Sequence, residues 1–200
     1  SQTMQLLESN LIKGWAQQQV EYYKFGTKIV PIGRHDSLKA RTTGFYNDID
    51  VSLETHIDQV IDMVSSENLV IIVTDLFQSD ADVNLLTTKL KEKYLSKGKA
   101  VGIVGLRSTF NGKVYDIGVS GYSLPYNSGS KIERYRPYYV LILGPVPDVD
   151  HYIHVLSNQK IMQAQEPNYL IFANRKVVIP AYFDSDKSIL ALQKMVEVSN

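Results

Sequence analysis

The sequence predicts an α/β fold with a mainly parallel sheet that is covered on both faces and carries β-hairpin additions. Short apolar runs without polar alternation recur along the chain, which is typical of strands buried on both faces. Between them lie stretches in which apolar residues return every three or four positions, as on the buried face of an amphipathic helix. Because strands alternate with helices, we expect parallel strands joined by crossover helices.

The predicted helices are all amphipathic. In the first, Met4, Leu7 and Leu11 fall on one face, and the second opens at Thr55. Gly98 lies just past the third helix and suits a C-cap, because glycine tolerates the left-handed conformation. The helices are predicted over residues 2–18, 55–66, 82–97, about 148–160 and 188–197.

Some strands are predicted from an apolar run and others from a turn signal between two runs. The apolar run 69–74 predicts an inner strand of the sheet, with Ile71 and Val73 almost fully buried. The pair Asn111-Gly112 is favoured in two-residue turns and predicts a hairpin there. The other buried strands are predicted over 99–106 and 138–144, and further hairpins over 20–32 and 168–183.

Composition narrows the class of protein. The chain has 200 residues, enough for one large domain with a sizeable core. Lys and Arg together number 21, as do Asp and Glu, so no excess positive charge is present for nucleic acid or an anionic membrane. No membrane span, signal peptide or cysteine is recognisable. We expect one soluble domain over 1–200, with an inserted hairpin and loop at about 107–136 and a C-terminal hairpin-helix extension at about 167–200.

Three sequence features carry a resemblance to a known family. Phe25-Gly26 lies where the chain turns into a short edge strand, Thr55 precedes the second helix, and Asp75 follows a buried strand. In this order, and over roughly residues 1–106, they resemble the von Willebrand factor A-like domain. The resemblance implies a Rossmann-like fold that binds its partners at loops around the carboxyl ends of the strands.

The resemblance also implies a site for a divalent cation. In this family Mg²⁺ is held by an Asp-x-Ser-x-Ser motif after the first strand, a threonine and an aspartate, which are the hard oxygen ligands this ion prefers. Thr55 and Asp75 match the threonine and the aspartate, whereas the motif has no counterpart at the expected place. We therefore expect a degenerate site that binds Mg²⁺ weakly or not at all. We also expect the native chain to continue upstream of Ser1 and supply the missing strand.

The same residues have other interpretations. Thr55 with Asp58 resembles a capping box, and Asp75 could bind backbone N–H groups of its own loop. Asp184 and Asp186 in "DSDKS" match the missing motif and the phosphotransfer motif of haloacid dehalogenase-like hydrolases, although such residues also favour a helix N-terminus. The alternative function is therefore a metal-dependent hydrolase that uses Asp75 with Asp184 and Asp186.

A tyrosine-rich stretch over 118–139 indicates a binding surface. Long loops are uncommon in compact domains and tend to be functional. Tyrosine among serine and glycine is typical of binding loops, and tyrosine and arginine are enriched among interface hot spots. The predicted partner-binding residues are Tyr122, Tyr126, Arg134 and Tyr135.

The chain shows no combination of residues that identifies a nucleophile with its base. His151 and His154 share a helix face, but the sequence offers no third ligand for zinc at a telling spacing. The sequence therefore favours a non-catalytic protein-binding or scaffold domain of von Willebrand factor A-like type, which recognises a protein partner through loops at the carboxyl ends of its strands.

Overall fold

The computed structural model describes residues 2–15, 19–46, 55–76, 83–115 and 123–174. The helices are α1 (Gln2–Gly14), α2 (Arg34–Ser37), α3 (Ile57–Met63), α4 (Val83–Lys93), α5 (Val146–Ser157) and α6 (Lys160–Gln163). The strands are β1 (Tyr22–Phe25), β2 (Ile29–Ile32), β3 (Val70–Thr74), β4 (Ala100–Ser108), β5 (Asn111–Tyr115), β6 (Ser123–Asn127), β7 (Arg136–Gly144) and β8 (Asn168–Ala173). The helix predicted at 188–197 and the second half of the hairpin predicted over 168–183 lie outside the described residues. In the part of the chain described, no helix has the length and apolar character to cross a membrane.

The central sheet contains β3, β7, β4 and β8 in that order, and every neighbouring pair is antiparallel. The mainly parallel, Rossmann-like sheet predicted from the sequence is therefore wrong. Strands β3 and β4 do run in the same direction and are joined through α4, but β7 returns along the chain and inserts between them. An unbroken apolar run indicates that a strand is buried on both faces, but it does not indicate whether the strand runs parallel or antiparallel to its neighbours.

The position of β3 also differs from the prediction. It pairs with β7 and lies at an edge among the described strands. Ile71 and Val73 are half-buried, so the prediction of an inner strand with both almost fully buried is wrong. The inner positions belong to β7 and β4, and in β7 Val140 and Ile142 are fully buried.

One apolar cluster lies between the sheet and helices α1 and α5. Val140 and Ile142 of β7 and Val104 of β4 belong to it, together with Leu7 of α1. Burying a side chain of this size contributes about 1.5–3 kcal/mol relative to leaving it in water. The amphipathic helix predicted over about 148–160 corresponds to α5, and the four apolar residues of its inner face are all fully buried: Val149, Tyr152, Ile153 and Leu156.

A second cluster lies on the opposite face of the sheet. Leu141 and Leu143, which alternate with the β7 residues of the first cluster, pack there with Ile57 and Ile61 of α3. Tyr94, at the end of α4, belongs to the same cluster and is fully buried. The two strands predicted over 20–32 form the separate hairpin β1–β2. Gly98 is a C-cap with a left-handed φ of +69°, as predicted, but it caps the 3₁₀ turn Leu95–Lys97 that follows α4.

Strands β4 and β7 extend beyond the other two strands of the sheet. β8 pairs with β4 as far as Gly105, and β3 pairs with β7 as far as Thr74 opposite Tyr139. β4 and β7 remain paired to Ser108 and Arg136, and the chain between them forms the two-stranded ribbon β5–β6. We call residues 106–115 and 123–138 the arm.

The hairpin turn predicted at Asn111-Gly112 is wrong. Both residues lie inside β5, where Asn111 pairs with Asn127 and Gly112 with Tyr126. Asn-Gly is a local turn signal, but here the pairing of the whole ribbon decides the conformation. A Cβ atom on Gly112 would come within 3.1 Å of the Phe110 ring, so glycine allows this ring to lie against the ribbon.

Candidate functional site

Asp75 directly follows β3, and its side chain is exposed. The turn that begins there involves Thr74, whose hydroxyl accepts a hydrogen bond from the N–H of Leu76 at 3.0 Å. Leu76 adopts a left-handed φ of 59°, which is uncommon for a residue with a side chain. The buried threonine therefore binds an N–H group of the loop that follows β3.

Thr55 is half-buried and lies two residues before α3. The N-cap position of α3 belongs to His56, and no side chain makes a capping hydrogen bond there. The carboxylate of Asp58 accepts a hydrogen bond from the Lys89 ammonium at 3.1 Å, which ties α3 to α4. The capping-box interpretation of Thr55 is therefore wrong, because the helix begins one residue later than that interpretation requires.

The antiparallel sheet changes the environment expected around Asp75. Neighbouring strands alternate in direction, so the carboxyl ends of β3 and β4 lie beside the amino ends of β7 and β8. No three His, Asp or Glu side chains within the described ranges come together as a metal-binding group. Asp184 and Asp186 lie outside those ranges, so their convergence with Asp75 stays a prediction.

We expect Mg²⁺ binding through Thr55 and Asp75 to be weak at most. One carboxylate and one hydroxyl leave most of the octahedral shell to water, and Mg²⁺ is held by more charge than that. Calorimetric titration with millimolar Mg²⁺ should give no saturating heat, with Asp75→Asn as the matched variant. A tight site that Asp75→Asn removes would contradict this expectation.

We call the part of the arm around Phe110 and Ser128, where the ribbon meets the sheet, its root. A small aromatic cluster holds the arm there. The Phe110 ring centroid lies 6.5 Å from that of Tyr126, and the Arg136 guanidinium lies over the Phe110 ring at 5.6 Å. The Tyr126 hydroxyl donates a hydrogen bond to the carbonyl of Arg134 at 2.7 Å. This bond ties the ribbon to the 3₁₀ turn Ile132–Arg134, through which the chain returns to the sheet.

Ser128 closes the ladder where the ribbon meets the sheet. Its N–H donates to the carbonyl of Phe110, and its hydroxyl accepts from the N–H of Phe110, both at 2.9 Å. The side chain is almost fully buried although the residues that follow it are exposed. These two hydrogen bonds join the two strands of the ribbon at the root of the arm.

A cleft of about 640 Å³ lies beside the root of the arm. One wall is formed by Arg107 and Ser108 at the end of β4 and by Thr109 just after it. Another is formed by Tyr135 just before β7 and Tyr138 near its start. The opposite side is formed by Lys160 and the turn that follows it, and the first turn of α1 contributes Thr3. Four separate parts of the chain thus meet at one end of the sheet.

Three polar side chains of the cleft interact with one another: Thr3, Tyr138 and Gln165. The amide of Gln165 donates to the hydroxyl of Thr3 at 3.2 Å, which joins the turn after α6 to α1. Burial raises the pKa of Tyr138, and a hydrogen bond with Thr3 partly offsets that effect. Tyr138 therefore stays neutral at physiological pH and adds no negative charge to the cleft.

The structure brings together only part of the predicted partner surface. Tyr126 and Arg134 meet through the hydrogen bond at the root of the arm, and Tyr135 lines the cleft next to it. Tyr122 lies outside the described residues. No comparable sequence signal marks Arg107 and Lys160, because they line one cleft only after β4 has paired and α6 has separated from α5.

No known protein family, curated protein or solved structure matches this chain.

Proposed function

We propose that this chain is a non-catalytic protein-binding domain and that the arm and its root bind the partner. The observation that carries the proposal is the extension of β4 and β7 beyond the sheet into a ribbon that is ordered at its root. Tyr126 and Phe110 fix the ribbon there, so less conformational entropy is lost when a partner binds.

The arm also presents apolar side chains to solvent. Leu124 in β6 is 43% exposed, and Ile132 in the turn that returns to the sheet is 51% exposed. Single exposed apolar residues are ordinary on protein surfaces. Here they occur with Tyr126, Tyr135 and Arg134 on the described part of the arm, and aromatic residues and arginine are the types most enriched at interface hot spots.

We expect the double variant Leu124→Ser, Ile132→Ser to lose partner binding by roughly tenfold or more, because two exposed apolar contacts are removed at the arm. The free energy of unfolding should change by only about 0.5 kcal/mol per exposed site. Cross-linking in a lysate of the native source, followed by quantitative pull-down, would measure binding, and urea unfolding would measure stability.

The chain offers a matched control on another surface. Leu85 on α4 and Met63 on α3 are 45% and 46% exposed, close to the two arm residues. The double variant Leu85→Ser, Met63→Ser should keep the partners of the native chain. The proposal fails if the control loses the same partners, or if the arm variant keeps them all.

A further inference from the structure

The cleft at the root of the arm has the charge expected of a site for anions. Arg107 and Lys160 both line it, and neither makes an ion pair with any residue that the structure describes. The described lining contains no Asp or Glu. Elsewhere in the described part of the chain some cations are paired, such as Lys89 with Asp62 and Arg34 with Glu8, each at 2.5 Å, and others are exposed without a carboxylate.

The remaining lining groups suit the oxygen atoms of an anion. Thr109 contributes a hydroxyl group, whereas the Ser108 hydroxyl donates to the carbonyl of Thr109 at 3.1 Å. Thr3 lies in the first turn of α1, a helix of 13 residues. The positive end of the helix dipole adds to the two cations, although alone it would not make a site. Guanidinium and ammonium groups form their strongest hydrogen bonds with carboxylate and phosphate oxygens.

The shape and position of the cleft favour a peptide over a small free ligand. The cleft is wide and open, with exposed Arg107 and Lys160 on its sides, so a ligand inside it remains partly in solvent. Tyr135, at the base of the arm, forms part of its wall. A segment that runs along the arm can therefore place an acidic side chain in the cleft.

We propose that the cleft binds an anionic side chain, a carboxylate or a phosphate, on a peptide segment of the partner. This inference rests on the proposed function, since it names the chemistry of the segment that the root of the arm receives. Arg107 and Lys160 bind the anion oxygens, while the arm contacts the apolar part of the same segment.

The probes are a fluorescent glutamate-rich peptide, the same peptide with glutamine in place of glutamate, and a version with phosphoserine. Anisotropy titrations at low salt should show binding of the glutamate or phosphoserine peptide and none of the glutamine peptide. The double variant Arg107→Gln, Lys160→Gln should weaken that binding by about tenfold or more, because two charge-assisted contacts are lost. Comparison of the two anionic peptides shows whether the cleft prefers a carboxylate or a phosphate.

The control variant Lys91→Gln, Lys97→Gln removes the same net charge from exposed positions outside the cleft. It should bind the anionic peptide as the native chain does. An equal loss in the control would show that binding follows net charge, and this result would overturn the inference. Failure of both anionic peptides to bind the native chain would overturn it as well.

The two proposals fail in different ways. If the Arg107, Lys160 variant still captures the native partner at full strength, the proposed function stands and the anion site is refuted. If the anionic peptide binds as expected while Leu124→Ser, Ile132→Ser keeps every partner, the arm is refuted as the partner-binding element and the cleft remains an anion site.

Discussion

We expect Gly144→Ala to destabilise the protein by about 3 kcal/mol or more. Gly144 ends β7 with a φ of +149°, in a region that is essentially open only to glycine. A Cβ atom there would lie 2.7 Å from the carbonyl oxygen of Asn68 and 3.2 Å from the Cα of Leu69. Both neighbours are backbone atoms that lead into β3, so the overlap can be relieved only by moving the strand.

A second glycine of the same sheet provides the control. At Gly105 in β4, the nearest atom to an added Cβ is a Tyr139 ring carbon at 3.7 Å, which is an ordinary contact distance. We expect Gly105→Ala to change the free energy of unfolding by less than about 1 kcal/mol. Urea unfolding of both variants would measure the difference, and equal losses would show that the backbone at Gly144 tolerates a side chain.

Two buried tyrosines are expected to respond in opposite directions when their hydroxyl groups are removed. Tyr94 and Tyr152 are both fully buried, on opposite faces of the sheet. The Tyr152 hydroxyl donates a hydrogen bond to the carbonyl of Leu7 at 2.9 Å. The Tyr94 hydroxyl is buried and has no hydrogen-bond partner among the described residues. The environments therefore differ mainly in whether the hydroxyl is satisfied.

We expect Tyr152→Phe to destabilise the protein by about 1 kcal/mol, because a buried bond between α5 and α1 is lost. Tyr94→Phe should instead stabilise it by about 1 kcal/mol or more, because a buried hydroxyl without a partner is removed. Thermal and urea unfolding of the two variants would measure both effects. Loss of stability in Tyr94→Phe would indicate that its hydroxyl has a partner in solution.

The same hydroxyl makes stability sensitive to alkaline pH. Burial raises the pKa of Tyr94 from 10.0 to about 12. In the unfolded chain the phenol loses its proton near its ordinary pKa, whereas in the folded chain it keeps the proton until about pH 12. Below pH 10 the phenol is protonated in both states, so its titration leaves the free energy of unfolding unchanged. As the pH rises from 10 towards 12 only the unfolded chain loses the proton, and the free energy of unfolding falls by on the order of 2–3 kcal/mol. Tyr94→Phe should retain more of its stability in this range.

Helices were the most predictable part of this fold. In α5, the positions Val149, Tyr152, Ile153 and Leu156 follow the helical period, and all of them are buried. Such a pattern is local, because it depends only on which face of one helix meets the core. The direction of β7 and its place between β3 and β4 depend on residues distant in sequence, and hydrophobic periodicity contains no information about them.

Only part of the candidate site could be predicted from the sequence, namely the residues that are close together along the chain. Tyr126 and Arg134 are close in sequence and meet at the root of the arm. Arg107 and Lys160 belong to different elements, and each alone resembles an ordinary exposed cation. The Asn111-Gly112 pair illustrates the converse, since a strong local turn signal was overridden by the pairing of β5 with β6.

The central position of β7 also has a consequence for how the chain folds during synthesis. β3 and β4 are made first, but each pairs with β7, which emerges only after the whole arm has been translated. Until then both strands present unpaired backbone and apolar side chains, and pairing between residues so distant in sequence is slow. The nascent chain is therefore most exposed to aggregation while the arm is being made, which is when a chaperone would protect it most effectively.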